Sequence, residues 1–167
     1  MRKIIICLTL IVCLFSFLGM PISAVAAVDG SFQEPAGLIE VSKETQYFED
    51  GSYLVTTVKA TPTARASTYT QNGTKEVVLY NSSNEVQWNY YLTGTFTVEA
   101  GVSVVCTNST YSYNIVNTSW SLSSHNNYYS NNIAYGEATF KKKVLFITTN
   151  THDIEIYVAC DVNGVIS

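Results

Sequence analysis

Residues 86–99 alternate with a period of two. Val86, Trp88, Tyr90, Leu92, Phe96 and Val98 fall on one side, with Gly94 among them. Gln87, Asn89, Thr93, Thr95, Thr97 and Glu99 fall on the other, and Tyr91 is the exception. Such a pattern predicts a strand with one buried face, roughly 40 Å long if straight. Glycine packs nothing and admits unusual backbone angles, so a bend or bulge is expected at Gly94. A half-buried strand of this length needs a second apolar layer, and the rest of the chain has to supply it.

It does so as further strands. No long stretch shows helical periodicity, and the chain is rich in Thr, Ser, Asn, Tyr and Val. Residues 75–80 precede the long strand through Asn81-Ser82-Ser83-Asn84, which reads as a hairpin. Asp50-Gly51 predicts an earlier hairpin with arms at 45–48 and 53–59. Later strands are expected at 102–107, 111–122, 133–141, 144–149 and 154–162. The last again alternates, with Ile154, Ile156, Val158, Cys160 and Val162 on one face. Short strands at this spacing predict an all-β fold, an antiparallel β-sandwich. Cys106, Trp120 and Cys160 follow the order of immunoglobulin-like domains. Those domains place a Tyr two residues before the second Cys, where this chain has Val158, so immunoglobulin topology is not expected.

The first residues bear on where the chain goes. Arg2 and Lys3 are followed by an apolar run of about 15 residues, then Gly19, Pro21 and a small-residue stretch ending Ala24-Val25-Ala26-Ala27. That order is a secretory signal peptide over residues 1–26, with the cut between Ala26 and Ala27. The run is short of the roughly 20 residues that span a bilayer, so no membrane segment is expected after cleavage. Cys7 and Cys13 would leave with it. Cys106 and Cys160 remain, both on apolar faces, and in an oxidising compartment they are expected to form a disulfide. On the chain-entropy model, closing a loop of about 54 residues stabilises by about 4 kcal/mol. Residues 27–67 are acidic and end in a linker-like stretch from Ala60 to Ser67. They read equally as a removable arm with a hairpin or as an ordinary long connection to a domain at 68–167.

The chain has 13 acidic against 9 basic residues, and it becomes more negative once Arg2 and Lys3 leave. That balance, with no basic surface, argues against a nucleic-acid partner. His125 and His152 are far apart and lack ligand spacing, so they read as loop residues rather than metal ligands. No Gly-x-Ser-x-Gly motif is present, and nothing in the chain asks for a cofactor. Lys141-Lys142-Lys143 precede Val144-Leu145-Phe146-Ile147. The favoured reading is a buried strand flanked by gatekeeper lysines; contact with anionic lipid or wall polymer is the second. Residues 121–132 read as a loop. His125, Tyr128 and Tyr129 in it, with Tyr135 nearby, form the expected contact surface, because Tyr among Asn and Ser suits recognition.

Several segments also carry a resemblance. They are Tyr47-Phe48-Glu49-Asp50-Gly51-Ser52-Tyr53-Leu54-Val55-Thr56, Gly94-Thr95-Phe96-Thr97, Ser119-Trp120-Ser121-Leu122, Ala138-Thr139-Phe140-Lys141-Lys142 and Cys160-Asp161-Val162-Asn163-Gly164. Together the chain resembles a group of small exported proteins of clostridia and related Gram-positive bacteria. The resemblance implies a one-disulfide β domain exported across a single membrane. It implies no activity and transfers no functional residues. The expectation is a secreted, non-enzymatic binding or cell-surface module, whose partner would be cell wall, cell surface or another protein. A secreted effector with a removable N-terminal segment and a small hydrolase are the alternatives.

Overall fold

A computed structural model describes residues 37–64 and 66–167. The expected signal peptide and its cut lie outside the described residues. Eight strands follow in order: β1 (Ile39–Tyr47), β2 (Tyr53–Ala60), β3 (Thr68–Tyr80), β4 (Val86–Glu99), β5 (Ser103–Ile115), β6 (Trp120–Ser130), β7 (Ile133–Val144) and β8 (Ile147–Ala159). They form two antiparallel sheets, β1-β2-β3-β4-β5 and β6-β7-β8. The chain is thus an all-β sandwich. Every neighbour in a sheet is a neighbour in sequence, so both sheets are meanders, and among the described residues the Greek-key path of immunoglobulin domains is absent.

The alternation along β4 becomes the middle of the core. Trp88, Tyr90, Leu92, Phe96 and Val98 are fully buried. The covering sheet answers these large side chains with small ones on β7: Ala134, Gly136 and Ala138. Large against small lets the layers interdigitate. A Cβ at Gly136 would sit 2.9 Å from the Tyr90 hydroxyl and 3.0 Å from a Leu92 methyl. Gly94 has the same cause, since a Cβ there would meet the Phe96 ring at 2.7 Å and Ala134 at 3.0 Å. β4 itself stays in register through Gly94, so the bulge expected there does not form; the irregularity is on the partner strand, where Thr107 of β5 is skipped between Thr95↔Asn108 and Phe96↔Cys106.

Other expectations change. The run from residue 111 to 122 is two strands, broken at 116–119, where Asn117 caps a turn by accepting from Ser119 N and Oγ. Residues 121–132 are not a loop: most of them make up β6. Residues 39–60 are built into the five-stranded sheet rather than hanging off it. β2 pairs with β3 along its whole length, and Leu54, Val58 and Ala60 belong to the core. The Asp50-Gly51 hairpin forms, with Tyr47 opposite Tyr53. Sheet pairing therefore crosses residue 67.

The expected disulfide is not formed. Cys106 and Cys160 are buried free thiols. Their backbones flank the β6–β7 turn, where Cys106 N donates to Asn131 O and Cys160 N to Asn132 O. Each sulfur is turned to its own carbonyl, Cys106 Sγ to Asn108 O and Cys160 Sγ to Asp161 O. Alternation placed both cysteines on apolar faces correctly, but a bond also requires the two side chains to aim at each other. Burial raises the Cys106 thiol, and burial followed by Asp161 and Cys106 pushes Cys160 up to about 12. Neither is a nucleophile near neutral pH.

Candidate functional site

Two surfaces concentrate chemistry. The first is the outer face of the three-stranded sheet. Register fixes its rows: Tyr128, Tyr135 and Tyr157 lie side by side across β6, β7 and β8. The next row is Asn126, Glu137 and Glu155, and the one after it Ser124, Thr139 and Asp153. Side chains two residues apart share a face, so all nine point away from the core. The Tyr128 and Tyr135 rings stack at 4.9 Å and 14°. Lys75 reaches round from β3 to place its Nζ 4.6 Å from the Tyr157 ring centre. Thr139 Oγ1 donates to Asp153 at 2.7 Å. A shallow depression of about 310 Å³ runs over the second and third rows. Partial burial and then the Glu137 carboxylate hold the Tyr128 phenol protonated above its usual range.

Of the four residues expected to form one contact surface, only Tyr128 and Tyr135 share this face. Tyr129 pairs with the buried Ala134 and His125 with Ala138, so both lie on the opposite side of β6. His125 stacks on Tyr111 at 4.1 Å. Tyr157 completes the row but did not stand out in sequence. It lies on the polar side of an alternating strand 22 residues after Tyr135, and only pairing brings the two together.

The second surface is the end of the sandwich that carries the β1–β2, β3–β4 and β7–β8 turns. A cleft of about 160 Å³ there is walled by Asp50, Asn81, Gln87, Trp120, Lys142, Asn150 and His152, among others. His152 is a strand residue rather than a loop histidine. Its ring lies 4.9 Å from Phe48 and 5.4 Å from Trp120, and its Nε2 is buried without a partner. Burial lowers its pKa below the ordinary 6.5, against the smaller opposite pull of Asp50 and then Asp153. A histidine held neutral in the fold contributes stability above its unfolded pKa and loses it as pH falls toward the folded value. The urea midpoint is therefore expected to drop as pH is lowered from 7 to 5. In His152→Phe that fall is expected to be shallower, and an identical slope would remove His152 as its source.

Beyond the cleft the β7–β8 hairpin projects, and here the favoured expectation is overturned. Residues 144–147 are not a buried strand. Val144 pairs with Ile147, and Leu145 and Phe146 form the two-residue turn between them. Leu145 is 86% exposed, Phe146 99% and Ile147 68%. Lys141, Lys142 and Lys143 stand just behind, opposite the uncharged Thr151, Asn150 and Thr148. Lys142 also lies 6.0 Å over the Trp120 ring. An apolar tetrad between polar flanks reads alike as a buried strand or as a tip, and only the pairing decides which. No protein-family model, curated protein or solved structure matches this chain.

Proposed function

We propose that this protein is an exported, non-enzymatic module that binds a polyhydroxylated polymer of the cell wall or cell surface. It would do so on the outer face of the three-stranded sheet. The observation that carries the reading is the tyrosine row in register above two rows of amides, hydroxyls and carboxylates, over a depression in the same face. Tyrosine supplies rigid area with a hydroxyl at its tip, at the entropic cost of few rotors. Carboxylates and amides beside it accept and donate to sugar hydroxyls. None of the nine side chains is aliphatic, so the face suits a polar ligand rather than an apolar protein core. Export rests on the N-terminal segment.

The test is titration calorimetry with solubilised cell-wall polysaccharide. Tyr128 and Tyr157 are both substantially exposed, so a Tyr128→Ala/Tyr157→Ala variant should fold with little loss, since exposed substitutions usually cost within about 0.5 kcal/mol. Its binding should weaken at least about tenfold, equal to about 1.4 kcal/mol. Equal binding by the variant, or none by the parent protein, overturns the reading.

A further inference from the structure

The β7–β8 tip has a backbone that its residues do not favour. Leu145 has φ 48° and Phe146 φ 71°. Two consecutive positive φ values make the turn that matches strand twist, and that turn favours Asn-Gly. The molecule respects this elsewhere: the positive-φ residues at its other hairpin turns are Gly51, Asn84, Gly101 and Asn131. Among the described residues, only here are two bulky apolar residues seated in a left-handed conformation that L side chains resist. The same two are the most exposed large hydrophobic side chains among the described residues. The turn gives up local stability and solubility together, which points to a contact outside the chain.

Charge identifies that contact. Between Lys141 and His152 the chain has no acidic residue, so three positive charges stand behind the tip without a cross-strand counter-charge. The acids of that end are Glu49, Asp50 and Glu85; they stand on the β1–β2 and β3–β4 turns rather than on the hairpin, with Asp50 accepting from Ser52 N and Oγ and Glu85 from Asn81 Nδ2. Leu145 lies three residues past Lys142, so the tip stands about 10 Å beyond the cleft at the rise of a strand. An apolar wedge of this reach, backed by a collar of lysines, fits the headgroup boundary of a bilayer with negative lipids. We infer that the β7–β8 hairpin is a docking element for an anionic membrane surface, with Leu145 and Phe146 entering the interface and Lys141, Lys142 and Lys143 meeting the headgroups. The hairpin tip lies beyond the polymer-binding face, with Lys141 next after Thr139 on the same side of β7.

Co-sedimentation with phosphatidylglycerol vesicles, against phosphatidylcholine vesicles, tests it. The full exported chain should bind the anionic vesicles and lose affinity as salt rises. Leu145→Asn/Phe146→Gly should weaken binding at least about tenfold while its melting temperature holds or rises, because Asn-Gly suits the turn. That opposite movement of stability and binding excludes simple misfolding. Lys141→Gln/Lys143→Gln should weaken binding about 25-fold, at about fivefold per lysine. Equal binding to both vesicle types, or no loss in the turn variant, overturns the inference. So does a dimer in sedimentation that the turn variant abolishes without any vesicle binding, which would make the tip a self-association surface.

Discussion

Trp88→Ala is expected to destabilise the fold by about 3–5 kcal/mol, a large share of the total for a domain of this size. Trp88 has no exposed surface. Its ring stacks on Phe140 of the opposite sheet at 4.0 Å and 5°, and meets Trp120 edge-on at 6.4 Å. It is therefore a central aromatic link between the two layers, and removing it leaves a cavity that strands cannot close without breaking register. Trp88→Phe should cost clearly less. It keeps a ring on Phe140 and also removes the Trp88 Nε1 donor, which is buried without a partner; such a group carries a desolvation penalty. Urea unfolding of both variants checks this. A Trp88→Phe variant as unstable as Trp88→Ala would show that the stack is not the source.

Gly73→Ala is the second large effect, expected at about 1–3 kcal/mol from overpacking. Gly73 lies opposite Gly94 at the middle of the β3–β4 pair. A Cβ there would stand 2.6 Å from Ile166 Cγ2 and 2.8 Å from Val158 Cγ1. Both neighbours are buried, and the C-terminal residues are held down by paired bonds between Ala159 and Ser167 and by the Cys160–Ile166 bridge. The glycine thus makes the socket in which the chain end closes the sandwich. Ile166→Ala in the Gly73→Ala background should recover part of the loss, because the two sites share one space. Strict additivity in a double-mutant cycle would show that the clash is not with Ile166.

Period-two alternation carried much of the fold in advance. It placed the β4 residues, the apolar side of β8 and the two cysteines on inner faces, because the side-chain direction of an extended chain depends on nothing but parity. The Asp50-Gly51 turn was legible for a similarly local reason. The candidate sites were only partly legible. Tyr128 and Tyr135 stood out by composition, whereas Tyr157 joins them through cross-strand register, which parity along one strand does not specify. His125 and His152 looked like loop residues because nothing local marks a histidine that packs on Tyr111 or Phe48.

Alternation alone dictates that this chain forms strands, which side of its longest one is buried, and that a second layer must pack on that side. Tertiary structure decided the rest. It assigned residues 39–60 to the sheet and turned the two thiols to different carbonyls. It also made residues 144–147 an exposed tip instead of core. The physical reason is common to all three. Burial is a relation between segments far apart in the chain, and an apolar run carries the same local signature whether another layer covers it or not.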